Sequence, residues 1–131
     1  MNNGTILMAL GAAHTVVGVS PWAFGEQYLE FAGRWFFRVS EGVLEFPLFN
    51  GTMRYANFAA FWFSYYGLLL LATGLLLREF EQAQGYAPKS FAWVYLGIVC
   101  LGVYMIPLSG MTFLMLPHAA YLFWRAKRQQ V

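Results

Sequence analysis

The amino-acid sequence predicts an all-α, polytopic membrane protein: four transmembrane helices in a bundle, plus an amphipathic interfacial helix between the first and second spans. Two observations carry that prediction. Of 131 residues, 60% are hydrophobic and only 11% are charged. A water-soluble domain of this length carries roughly twice that charged share to cover its surface, so the surplus apolar area asks for a bilayer as solvent. The second observation is four apolar runs, 4–22, 58–77, 91–108 and 110–124, which make 1–131 a single membrane domain.

At about 1.5 Å of rise per residue, the first two runs reach roughly 28–30 Å, enough to cross a hydrocarbon core of ~30 Å. The first follows "MNN" without the Lys/Arg region of a signal peptide, and His14 interrupts its apolar stretch, so a retained span is expected. The last two runs are separated by "IPLSG", where Pro107 and Gly110 break the helical path into a tight turn. Gly110–Trp124 reaches only about 22 Å, so a re-entrant hairpin stands as the alternative to two full spans; both return the chain to the same side. Arg78, Lys89, Arg125, Lys127 and Arg128 fall on one side of this topology, against Arg34, Arg38 and Arg54 on the other. The excess places both termini in the cytoplasm.

Between the first two spans, residues 23–57 do not read as an ordinary loop. Glu26, Glu30, Arg34 and Arg38 recur every four residues on one helical stripe, and Phe24, Tyr28, Phe31 and Trp35 follow another. Glu30 precedes Arg34 at the favourable i, i+4 spacing. One charged stripe with aromatics elsewhere fits a helix in the membrane interface or over the mouth of the bundle. Pro47 and Asn50-Gly51 then supply turn chemistry.

In lipid, small residues that let backbones approach mark helix interfaces. Gly4, Gly11 and Gly18 recur every seven residues in the first span, and Ala60, Gly67 and Gly74 do so in the second, with Ser64 beside them. His14 projects within about 60° of the first stripe and so points toward protein rather than lipid. His118 lies in the last run, where Met111, Met115, His118, Leu122 and Arg125 share a face with Tyr121 next to it. Pro117 removes the hydrogen bond to the Phe113 carbonyl, which predicts a kink beside His118.

These residues admit several chemistries. The two histidines could ligate a haem b iron from facing helices. Met111, Met115 and His118, with Cys100, could form a soft Cu(I) face, although methionines at this spacing more often fill a core. The histidines could instead bond to Thr15, a tyrosine or backbone carbonyls, lining an intrabundle pocket for the polar head of an apolar ligand. Tyr65 or Tyr66 is a candidate to turn inward for this. The bland reading is a pair of neutral, satisfied imidazoles. Glu41 and Glu45 near the outer mouth read as solvated charges. No GxSxG, HExxH, P-loop or dinucleotide fingerprint appears. A single cysteine excludes an internal disulfide framework, and a net charge of +2 gives no footprint for nucleic acid.

The stretches "GAAHTVVG", "AAFWFSYYGLLLLATG" and "PLSGMTFLMLPHAAYLF" together resemble a family of small bacterial four-span membrane proteins without an assigned activity. The Gly/His of the first span and the Pro-x-Ser-Gly turn at Pro107, Ser109 and Gly110 carry the likeness, which covers most of the chain outside 23–57. It implies a bacterial inner-membrane location and a four-helix fold, and it assigns no catalytic residue. The expected function is a small binding or accessory membrane protein. Its partners are the lipid bilayer and a hydrophobic small molecule or another membrane subunit, and its pocket is formed by His14, Met111, Met115, His118 and Tyr121. The alternatives are a redox subunit holding haem b or copper, and a membrane enzyme acting on a lipid or isoprenoid with His14 as base.

Overall fold

The computed structural model describes residues 2–33 and 55–128. These are all helical or connecting, with no strand among them: α1 (Asn3–Val19), α2 (Gly25–Gly33), α3 (Tyr55–Gln84), α4 (Lys89–Met105), a π-helical turn (Met111–Met115) and α5 (Leu116–Arg128). They divide into two compact units, Gly11–Leu69, and Met1–Leu10 with Leu70–Val131.

The helices differ in length from the expected spans. The 58–77 run lies inside α3, which has 30 residues and reaches about 45 Å. Among the described residues α3 is the one helix long and apolar enough to cross a membrane. The helices α1 and α4 have 17 residues each, about 25 Å, a turn short of a comfortable span. Prolines account for the shortening. Pro21 follows the end of α1, leaving Trp22 in a turn that the Gly25 N–H closes onto the Ser20 carbonyl at 3.0 Å. Pro107 likewise forces the chain out of α4 at Ile106. Thr112 then closes the expected tight turn, its hydroxyl donating to the Pro107 carbonyl at 2.6 Å and its N–H to Ser109 at 3.1 Å.

A π-helical turn over Met111–Met115 lies just before Pro117, beside which the sequence predicts a kink. The proline cannot donate to the Phe113 carbonyl, and a wider turn over Met111–Met115 shifts the hydrogen-bond ladder to accommodate the loss. Of the expected interfacial segment 23–57, residues 25–33 form α2 and 55–57 open α3; Arg34, Arg38, Trp35, Glu41, Glu45 and the Asn50-Gly51 turn lie outside the described residues.

In the Gly11–Leu69 unit the small-residue stripes meet as their spacing predicts. A Cβ on Gly18 would lie 2.8 Å from the Phe63 ring and 2.9 Å from the Ser64 hydroxyl, and one on Gly67 would lie 3.0 Å from the Gly11 carbonyl. Onto this pair α2 is fastened by the Tyr28 hydroxyl, which donates to the Ala60 carbonyl at 2.9 Å. Asn57 Nδ2 donates to Glu30 at 3.1 Å, so Glu30 faces α3 as well as lying at helical spacing from Arg34.

In the other unit the start of α1 lies against the end of α3 with backbone in contact. A Cβ on Gly4 would be 2.6 Å from Arg78 Cα and from the Gly74 carbonyl. Gly85, at φ +78°, ends α3 in the left-handed conformation that glycine adopts without a Cβ penalty, its N–H bonded to the Glu81 carbonyl at 2.9 Å. From there α4 and α5 form a hairpin. Ala92, Tyr95 and Val99 are buried from α4, and Met115, His118, Ala119, Leu122 and Ala126 from α5 and the π turn, the three-and-four spacing of antiparallel helices in contact.

Candidate functional site

A buried polar centre in the second of these units gathers side chains from four helices. Glu81, 9% exposed, sits on the last turns of α3 and meets the N-terminus of α1. One carboxylate oxygen accepts from Asn3 Nδ2 and the other from the Gly4 N–H at 3.0 Å. Gly4 is among the first residues of α1, whose opening N–H groups have no partner within the helix, and a carboxylate there satisfies one while meeting the positive end of the helix dipole.

His118 stands nearby on α5, 7% exposed, and close enough to Glu81 for the two to interact electrostatically. Its Nδ1 is 3.2 Å from the hydroxyl of Tyr95, itself buried on α4. Its Nε2 is buried and, like Asn3 Oδ1, finds no hydrogen-bond partner among the described residues. The chemistry available follows from the tautomer. If Tyr95 donates to Nδ1, Nε2 carries the proton and presents a donor; if Nδ1–H donates to the Tyr95 oxygen, Nε2 presents an acceptor. A neutral imidazole beside a carboxylate and a phenol can therefore meet a hydroxyl or a carbonyl.

His14 lies in the Gly11–Leu69 unit in a different setting. Its ring stacks on Phe63 at 3.8 Å and 17° between planes, and Tyr66 meets it edge-on at 5.4 Å. It is thus turned toward protein as its spacing predicts, and Tyr66 rather than the exposed Tyr65 is the inward tyrosine. Thr15, a candidate partner, gives its hydroxyl to the Gly11 carbonyl at 3.0 Å instead.

The remaining expected site residues divide. Met115 is buried on the His118 side of α5, whereas Tyr121 is 44% exposed and lies beside Trp124 at 6.3 Å. Tyr121 is three residues from His118, but the buried stripe runs through Leu122 instead. The side chain of Met111 lies outside the described residues. Cys100 is exposed on α4, not turned into the helix pair, and no group of three or more His, Cys, Asp and Glu gathers among the described residues.

Sequence reasoning passed over Glu81, Asn3 and Tyr95. For Glu81 the signal was present: the stripe Ala60, Gly67, Gly74 reaches Glu81 at the next interval of seven. No curated protein and no solved structure matches the chain. A family model described as a family of unknown function, DUF6463, matches residues 1–129, and the chain belongs to that family.

Proposed function

We propose that this is a four-span integral membrane protein, with both termini in the cytoplasm of a bacterial inner membrane, that acts by binding an apolar molecule through the polar centre around His118. The observation that carries the reading is inverted polarity. Asn57, Ser64, Glu81 and His118 are buried, while Leu68, Leu69, Leu76, Trp93, Val94, Ile98 and Leu101 are half or more exposed. Only 33% of the most apolar window of α3 is buried, unlike the core helix of a water-soluble domain. An aqueous surface of this kind would be costly at roughly 25 cal/mol per Å² of apolar area; facing lipid, it costs nothing, and polar side chains belong inside. The 17-residue helices cross with the help of flanking turns and local bilayer thinning. A buried polar atom left without a partner costs about 1–3 kcal/mol; Nε2 of both His118 and His14 is in that state, and the Tyr95 hydroxyl and Glu81 carboxylate beside His118 are what favour it as the binding centre.

Two measurements test this. After alkaline carbonate washing the protein stays in the membrane pellet; recovery in the supernatant overturns the membrane reading. Native mass spectrometry of detergent-purified protein then shows a co-purified apolar molecule that His118→Leu loses. An identical spectrum for the variant removes the binding centre and leaves the topology standing.

A further inference from the structure

A second feature of the Met1–Leu10 and Leu70–Val131 unit shares no lining residue with the polar centre. Between the first turns of α4 and the last turns of α5 runs an open groove of about 320 Å³, walled by Ala92, Trp93, Phe123 and Ala126. Trp93 and Phe123 meet edge to face at 4.5 Å, which fixes the wall. Lys89 and Lys127, both exposed, line the same groove.

The charge here is one-sided. From Gly85 to Val131 the sequence holds no Asp or Glu, while Lys89, Arg125, Lys127 and Arg128 all belong to this stretch. Arg128 stacks over the Trp124 ring at 4.0 Å, so the neighbouring cation is held on an aromatic face rather than by an acid. Glu81, the nearest buried acid in sequence, already accepts from Asn3 and Gly4. Two ammonium groups without an acidic partner on their own helices, flanking an apolar aromatic wall, complement a molecule with an anionic head and a hydrocarbon body.

We propose that the α4–α5 groove binds an anionic phospholipid, its phosphate between Lys89 and Lys127 and its acyl chain along Trp93 and Phe123. The proposal rests on the membrane reading above, which sets both lysines at the cytoplasmic interface, where Trp also concentrates. The lysines act as point charges, each worth about a factor of five in affinity near an anionic surface.

The test uses full-length, detergent-purified protein and short-chain phosphatidylglycerol below its micelle concentration, with binding read by native mass spectrometry. Phosphatidylglycerol binds at least roughly tenfold better than phosphatidylcholine of the same chain length. Lys89→Gln with Lys127→Gln weakens it by roughly 30-fold, whereas Lys89→Arg with Lys127→Arg retains it. Equal binding of the two lipids, or full binding by the double Gln variant, overturns the proposal. Competition by inorganic phosphate as effective as that by the lipid also overturns it, since the occupant is then a free anion. Because these lipids are soluble monomers, failure here is distinguishable from failure of the carbonate test of the membrane reading.

Discussion

His14 and His118 are the same residue type on two apolar helices, and the protein accommodates them by different means. In the Gly11–Leu69 unit, His14 behaves as an aromatic ring, sandwiched against Phe63 and edged by Tyr66. In the other unit, His118 behaves as a polar group, with the Tyr95 hydroxyl on one nitrogen and the Glu81 carboxylate within electrostatic reach. A stacked ring derives much of its stabilisation from contact area. A hydrogen-bonded ring derives it from directed polar groups that are costly to remove singly. The two rings share a buried Nε2 without a hydrogen-bond partner among the described residues, and they differ in their neighbours: aromatic rings at His14, a phenol hydroxyl and a carboxylate at His118.

Individual glycines differ in what surrounds them and give the largest expected effect. A Cβ at Gly74 would meet the Met8 backbone nitrogen at 2.5 Å and the Gly4 carbonyl at 2.9 Å, whereas at Gly18 it would meet only the Phe63 and Ser64 side chains. Backbone cannot step aside and side chains can rotate. Gly74→Ala should thus cost about 3 kcal/mol and Gly18→Ala clearly less, measured by thermal unfolding in detergent. Equal losses would mean that the backbone at Gly74 yields as readily as the side chains at Gly18.

Next in size is Glu81→Leu, which strands the Asn3 amide and the Gly4 N–H at the start of α1. The expected loss is about 2–3 kcal/mol, and Glu81→Gln, which keeps an acceptor oxygen, should recover part of it. An unchanged melting temperature for the Leu variant would show that α1 does not depend on this cap. Tyr95→Phe removes the hydroxyl from His118 Nδ1 and should cost about 1 kcal/mol, with a change in the imidazole ¹⁵N shifts of His118 and none in those of His14. Smallest is His14→Phe, which keeps the stack on Phe63 and should stay within about 1 kcal/mol of wild type. If it is as damaging as His118→Phe, the distinction between the two histidines fails.

Much of the helix packing was legible. Seven-residue spacing of small residues brings them onto one side of a helix, so Gly4, Gly11 and Gly18 and their counterparts in the second run could be assigned to interfaces before any partner was known. The inward direction of His14 followed from the same stripe. The polar centre was less legible, because its hydrogen bonds join residues far apart in the chain. Asn3 and Glu81 are 78 positions apart, and Tyr95 and His118 are 23 apart. Tyr121 is close to His118 in sequence and 44% exposed, while the next residue, Leu122, is fully buried. Helix ends differ from the ends of the apolar runs because apolar composition continues past Val19 and Met105, while Pro21 and Pro107 end the hydrogen-bond ladder.

The sequence by itself determined that this chain is helical, apolar and punctuated at its prolines, and which side of each helix carries small residues. Those are local properties, set by composition and by a period of 3.6 residues per turn. Only the tertiary structure decided that Glu81 closes the start of α1, that Tyr95 is the partner of His118, and that Lys89 and Lys127 flank one groove. Each of these depends on which helices lie side by side and in what register, and periodicity within one helix is blind to both.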